Sequence, residues 1–341
     1  MPEPRHPLLP AAFHGGPAQG HAAPLDFSVN ANPYGPNPAL LAALQAADHA
    51  HYPDPSYNDL RRALADWHGT HAAQVVPAVG ASELLHRVVR AYVGPGERVL
   101  SVLSPFGEFA RAAALARAQL EVVTPAAVLG AVQPGVRLVY LGQPHNPSGR
   151  RLAPAALTEL ARACQRADAL LILDLAYAPF VPGAPSFTDA PHALHLHSPG
   201  KAHGLVGARP AYALAPPDVA AALHNLAPAW TLPAGTAALL EALPGAQAFL
   251  QETLPPLARH AADLAHALSA FGTVEHHGTP YLLLEVGDAA RVAAGLLEQG
   301  LRGRDCASYG LPGQLRLATR LPEDNERLVL AFAALARQEE A

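Results

Sequence analysis

Lys201 is the only lysine in a chain of 341 residues, although lysine and arginine together number 23. A compositional drift that turns lysine into arginine should do so wherever a positive charge is all that is needed. Arginine keeps its proton near neutral pH and forms no imine, whereas lysine can lose a proton and attack a carbonyl. A lysine left alone in such a chain points to amine chemistry. Its surroundings, Ser198-Pro-Gly-Lys201-Ala-His-Gly204-Leu-Val-Gly207-Ala-Arg209, add a hydroxyl and a guanidinium. Arginine suits a dianion because it donates two parallel charge-assisted hydrogen bonds, and glycines let backbone approach closely. Taken singly, Ser198 and Arg209 are a loop serine and a surface ion pair. At this spacing around the lone lysine they read as an anion site beside an amine.

Further residues suit the same chemistry. Gly80-Ala81-Ser82-Glu83 is a small-residue turn opening a helix, and its free N–H groups would make a second wall for a phosphate. Alone, Ser82 would be an N-cap. Asp174 ends the apolar run Leu170-Leu-Ile-Leu-Asp174, where a carboxylate needs a cationic partner. Tyr177 follows three residues on, and Asn146 stands in Gln143-Pro-His-Asn146-Pro-Ser-Gly149, a turn after a strand. Phe109 is placed to stack on a flat ring or to fill a core. An imine-forming lysine, a phosphate cup, an acid opposite a pyridine nitrogen and donors to a phenolic oxygen are what pyridoxal 5'-phosphate (PLP) requires of a protein. Lys201 would hold its aldehyde as a Schiff base, Asp174 would pair with the ring nitrogen, and Tyr177 and Asn146 would flank the phenolic oxygen.

The elements that must position these groups alternate. Residues 82–93 have helical spacing, 97–104 read as a buried strand, 107–118 as a helix and 119–123 as a short strand. Strands at 136–142, 169–175 and 192–198 follow, with a helix at 154–167 between the first two. This pattern predicts an α/β fold, a large domain whose mostly parallel central sheet is flanked by helices. In such a sheet the ligand site lies beyond the carboxyl ends of the strands, where Asn146, Asp174, Ser198 and Lys201 fall. Beyond residue 245 the pattern changes. A helical stretch over 246–270, interrupted at Pro255 and Pro256, precedes strands at 272–277, 281–286 and 314–319 and helices at 289–299 and 323–338. The expected division is an arm at 1–35 belonging to a smaller α+β domain, a large domain at 36–245, and the rest of the small domain at 246–341.

Composition narrows the class. Half of the residues are hydrophobic, which is enough for a sizeable core. A net charge of −5 with no basic run predicts no nucleic-acid partner. Cys164 and Cys306 lack metal-ligand spacing and fit a reducing cytoplasm. The N-terminal stretch lacks the features of a signal peptide and no apolar run is long enough for a bilayer, so a cytoplasmic protein with no membrane partner is expected. The 18 histidines raise a metal enzyme as an alternative. His192, His195 and His197 alternate and His276-His277 are adjacent, but no acidic partner lies near enough in sequence to make a recognisable site, so no metal is expected.

Asn146-Pro-Ser-Gly149, Asp174-Leu-Ala-Tyr177 and Ser198-Pro-Gly-Lys201 with Arg209, at separations of 28, 27 and 8 residues, together resemble the fold type I PLP enzymes of the class I/II aminotransferase superfamily. The resemblance covers nearly the whole chain. It implies a homodimer with a shared site, in which Tyr52 of Tyr52-Pro-Asp54 reaches the neighbouring subunit's cofactor phosphate. Two branches compete. Asn30-Ala-Asn32-Pro-Tyr34-Gly-Pro36, Tyr52-Pro-Asp54 and Arg304-Asp-Cys306 look like histidinol-phosphate aminotransferase. His14-Gly-Gly16, Leu25-Asp-Phe-Ser28, Arg316-Leu-Ala-Thr-Arg320 and Asn325-Glu-Arg-Leu328 look more like L-threonine-O-3-phosphate decarboxylase of cobalamin biosynthesis. Ala31 stands where the aminotransferase branch usually has glutamate, so the resemblance favours the decarboxylase. Either branch implies a small phosphorylated amine or amino acid, with Arg304, Arg316, Asn32 and His14 as substrate-binding residues. The sequence departs from the pattern at Gly200, usually Ser or Thr, at His145, usually Asn, at Leu175, and at Pro233, where relatives commonly have Asn. A PLP-binding protein without catalysis is the rival from another class, distinguished by a cofactor spectrum that no amine substrate changes.

Overall fold

The run Leu170–Asp174 is buried along its whole length, and such a strand is satisfied only inside a sheet covered on both faces. The computed structural model places it there; it describes residues 6–12, 15–16, 25–183, 185, 190 and 192–340, without the side chains of 338–340. The strands in chain order are β1 (Leu25–Asp26), β2 (Val75–Val79), β3 (Arg98–Val102), β4 (Gln119–Val123), β5 (Val136–Gly142), β6 (Leu170–Asp174), β7 (Leu194–His197), β8 (Pro210–Leu214), β9 (Val274–Glu275), β10 (Tyr281–Glu285), β11 (Leu301–Arg302), β12 (Arg304–Asp305) and β13 (Gln314–Ala318).

Seven of them form one sheet in the order β2-β8-β7-β6-β5-β3-β4. The pairs β4/β3, β3/β5, β5/β6 and β6/β7 are parallel, giving the mostly parallel α/β architecture expected. β8 runs against both of its neighbours. The reason is local: the connection Ser198–Arg209 holds only one short 3₁₀ turn, with no crossover helix to carry the chain back for a parallel strand. Side chains then alternate between two cores. Ile172 and Tyr140 face a layer built by Leu84, Leu85 and Val88 of helix Ala81–Tyr92 with Phe109, while Leu171 and Leu173 face Leu157 and Leu160 of helix Pro154–Arg166.

The second sheet is antiparallel, in the order β12-β13-β10-β9. β1 pairs with β11, so Leu25 and Phe27 enter the core of this second sheet. Helix Gln247–Leu268 runs straight through Pro255 and Pro256, where the sequence suggested an interruption. Each proline removes an N–H from the helix, but Leu257 buries beside Tyr177 and Tyr281 while Leu264 and Leu268 bury under the second sheet. Leu250 and Leu254, before the prolines, pack against the same cluster as Leu257, so burial on both sides of the prolines carries the helix across them. The other anticipated elements begin and end within three residues of expectation.

The turn 143–150, which leaves β5, is fastened to the second sheet. Tyr281 Oη donates to the His145 carbonyl at 2.9 Å, Arg316 Nη1 to Asn146 Oδ1 at 2.6 Å, and Arg150 pairs with Glu275. Among the described residues no helix is long and apolar enough to cross a membrane.

Candidate active site

Because β3, β5, β6 and β7 are parallel, their carboxyl ends share one edge of the sheet. The reversed β8 brings its amino end to the same edge. Register does the rest: Val79 pairs with Pro210, which sets Gly80 beside Arg209, and Gly142 pairs with Asp174. A cavity of about 440 Å³ opens at this edge. Ten of the residues singled out in the sequence line it: Gly80, Ala81, Ser82, Asn146, Asp174, Tyr177, Ser198, Lys201, Arg209 and Arg316.

One end of the cavity is built for an anion. Helix Ala81–Tyr92 starts there, and its first-turn N–H groups have no partners within the helix. Gly80 has φ +85°, and a Cβ on it would strike the Arg209 guanidinium. Arg209 itself sits at φ +56°, a strained conformation for an arginine, and has no carboxylate or carbonyl partner for its side chain among the described residues. Gly200 explains its own departure from the family pattern: a Cβ there would lie 2.9 Å from the Leu205 carbonyl oxygen, so the turn that presents Lys201 closes only on glycine.

At the other end Asp174 is buried, with Oδ1 accepting from Ala176 N at 3.0 Å and Oδ2 from Tyr140 Oη at 2.7 Å. Lys201 Nζ lies 5.4 Å from the centroid of the Tyr177 ring. Loss of water around it lowers the lysine below its ordinary 10.5, and Arg209 and Arg316 add to that, against the opposing pull of Asp174. Burial pushes Tyr177 up to about 12, so its hydroxyl keeps its proton. That hydroxyl accepts from Asn30 Nδ2 at 3.3 Å and remains able to donate. Asn146 receives Arg316 on Oδ1 and donates from Nδ2 to Tyr309 Oη at 3.2 Å. Arg316 Nε and Asn30 Oδ1 are buried without a partner. Two unsatisfied polar atoms, an unpartnered guanidinium and a glycine cradle around one partly buried amine fit PLP with its phosphate at Arg209 and its ring nitrogen at Asp174.

Some expectations change. Phe109 does not reach the cavity: it lies on the buried side of helix Gly107–Leu115 and stacks on Tyr140 at 4.7 Å. Phe106, just before that helix, lines the cavity instead. Asn32 is spent on structure, donating to Ala202 O and Thr253 Oγ1 and accepting from Tyr34 N. Arg304 is buried on the strand next to Arg316 and does not line the cavity; its guanidinium donates to Ser308 Oγ at 2.8 Å and stands 5.6 Å from the Tyr309 ring. Tyr52 is 79% exposed and stacks on Trp230 at 4.5 Å, outside the cavity. His14 lies outside the described residues. Of the histidines, His195 is buried with Nε2 at the Ala190 carbonyl, and His197 stacks on Tyr212.

The sequence reading missed Asn30, Phe106, Tyr140 and Tyr309, all of which line the cavity. Asn30 had a signal, since it stands two residues before Asn32 in the same motif. The others depend on strand register and on how helices face the sheet.

A lysine on the turn after a parallel strand, with an anion cradle to one side and a buried carboxylate to the other, defines the architecture of the fold type I PLP enzymes. Within that class, the chain belongs to the aminotransferase class I and II family, whose profile matches residues 22–332. It is 32% identical over 344 residues to a histidinol-phosphate aminotransferase of Jannaschia sp. (strain CCS1), covering 95% of each chain. Seven more curated relatives at 30–34% identity bear that name. Its structure resembles histidinol-phosphate aminotransferase from Sinorhizobium meliloti in complex with pyridoxal-5'-phosphate, at 25% identity and a TM-score of 0.81 over 91% of this chain and 90% of that one. The L-threonine-O-3-phosphate decarboxylase from Porphyromonas gingivalis shares the fold, with a TM-score of 0.83 at 21% identity over 92% and 99% of the two chains.

Proposed function

We propose that the chain is a PLP-dependent histidinol-phosphate aminotransferase, moving an amino group between a small phosphorylated amine and a 2-oxo acid. The observation that carries this reading is the shared name of curated relatives that match 89–96% of the chain. It favours the aminotransferase over the decarboxylase, to which the short motifs leaned.

When bound, PLP supplies an electron sink for a bond breaking at the substrate's Cα. The chain's own residues do the rest. Lys201 would attach the cofactor and, once freed by the incoming amine, would take the proton from that carbon and deliver it to the carbon that had carried its own imine. Asp174 faces the ring nitrogen and keeps it positive. Tyr177 and Asn146 orient the ring through its phenolic oxygen. Arg209, Ser198 and the first turn of helix Ala81–Tyr92 hold the phosphate tail. Arg316, steadied by Asn146 and the Ser28 carbonyl, lines the cavity and supplies a cation for an anionic group of the substrate.

In this reading residues 36–245 form the cofactor-binding domain, and 246–341 with the arm form the smaller one; the pairing of β1 with β11 supports that grouping. A second copy of the chain completes the site with its Tyr52. Tyr52→Phe should therefore weaken PLP binding by about tenfold, the worth of one charge-assisted hydrogen bond, while sedimentation still reports a dimer. Unchanged affinity would remove Tyr52 from the site. A pH experiment probes the lysine. The deprotonated amine is the nucleophile, so uptake of PLP by cofactor-free protein should quicken as pH rises, with a midpoint below the 10.5 of free lysine. Stopped-flow absorbance reads it, and a midpoint at or above that value would contradict the assigned environment.

The deciding assay gives PLP-loaded protein histidinol phosphate with 2-oxoglutarate, and separately threonine phosphate. Glutamate formed in the first supports the aminotransferase. Carbon dioxide from the second, with no glutamate from the first, replaces it with the decarboxylase.

A further inference from the structure

Tyr140 lies on β5 two residues before Gly142, the residue that pairs with Asp174 on β6, so the tyrosine and the carboxylate leave the same face of the sheet as diagonal neighbours. The Tyr140 hydroxyl donates to Asp174 Oδ2 at 2.7 Å. Its ring is held by stacking on Phe109, 4.7 Å away with the planes 19° apart, and both rings are buried in the first core. Burial, together with the neighbouring Asp174, raises the phenol well above its usual range, so the hydroxyl always has a proton to give. Ala176 N–H donates to the other oxygen. Both contacts therefore address a carboxylate in its acceptor-only form. A neutral carboxyl group in the same place would turn a proton of its own toward one of two donors.

We infer that Tyr140 is a positioning residue acting through Asp174: its hydroxyl fixes the orientation of the carboxylate and keeps the proton shared by Asp174 and the cofactor's ring nitrogen on the nitrogen. The inference rests on the PLP reading and assigns a residue within it. Deleting the hydroxyl destabilises the ionised carboxylate relative to the neutral acid. The shared proton then moves from the ring to Asp174, nothing else in the pair changes, and the ring becomes a poorer electron sink. An inert core tyrosine would also need some partner for its hydroxyl, so the test has to follow the proton and not the packing.

Tyr140→Phe keeps the ring and its stack on Phe109 and removes one oxygen. Wild type and Y140F are loaded with PLP labelled with nitrogen-15 at the ring position, and the ring resonance is recorded at one pH. The expected result is a wild-type resonance at the pyridinium position and a Y140F resonance displaced toward neutral pyridine, by about a tenfold change in the proton's distribution for one lost charge-assisted hydrogen bond. Turnover should fall by about the same factor with KM for the amine unchanged. Coincident resonances in two loaded proteins overturn the inference and leave the PLP reading standing. Failure of wild type to take up PLP overturns both.

Discussion

Replacing Lys201 with arginine is expected to lower turnover roughly 1,000- to 10,000-fold while leaving the fold intact. The substitution keeps the positive charge and loses the only amine side chain in the protein. Arginine does not give up its proton in this pH range, so it can neither attach PLP nor move a proton at the substrate carbon, a role worth about 10²–10⁴ by itself. The surroundings of Lys201 are arranged for the opposite behaviour, since loss of water and the guanidinium groups of Arg209 and Arg316 all favour its neutral form. Borohydride reduction followed by mass spectrometry of peptides supplies the direct check. Wild type should gain cofactor mass on the one peptide that contains residue 201, and the variant on none. An arginine variant that turns over at the wild-type rate, or a reduced wild type without label at that peptide, would end the assignment.

Asp174→Asn is expected to cost about 100- to 1,000-fold in turnover at saturating PLP. The amide has the volume of the carboxylate and retains an oxygen for Tyr140 or Ala176, which now contact Oδ2 and Oδ1, but it carries no charge for a pyridinium. Removing one member of a buried ion pair costs roughly 3–5 kcal/mol, and each 1.4 kcal/mol in the transition state is a factor of ten in rate. Steady-state kinetics at saturating cofactor separates this from weaker PLP binding. If kcat is unchanged, the ring nitrogen is paired with some other group.

The parts of this site that could be read in the sequence are those where chemistry and pattern meet at one position. Asp174 is legible because it ends an apolar run, and Lys201 because it survives in a chain that otherwise uses arginine. What stayed hidden depends on strand pairing and on which face of a helix packs against the sheet. Tyr140 and Asp174 are 34 positions apart and meet only through the β5/β6 register, which no local pattern states. Phe106 and Phe109 exchange roles because a helix begins at Gly107 between them. Phe109 then joins Ala112 and Ala113 on the buried face while Phe106 stays outside the helix; the spacing predicted that start, but not that this face packs on Tyr140 of β5. β2 carries Pro77 in its middle, which argues against a strand. It is tolerated because β2 stands at the end of the sheet order, where a missing N–H costs little. Asn30 and Asn32 follow one another in the same motif, yet the first meets Tyr177 and the second Thr253.

The fastening of turn 143–150 to β10 and β13 has a mechanical consequence. The amide of Asn146 and the guanidinium of Arg316 are joined through one hydrogen bond, the His145 carbonyl before Asn146 is held by Tyr281, and the Arg150 side chain beyond it pairs with Glu275. Any swing of the second sheet therefore drags the group assigned to the cofactor's oxygen along with the one assigned to the substrate's anion. Under the proposed function, grip on the substrate and alignment of the ring would then be coupled, so that a substitution loosening one would be felt at the other.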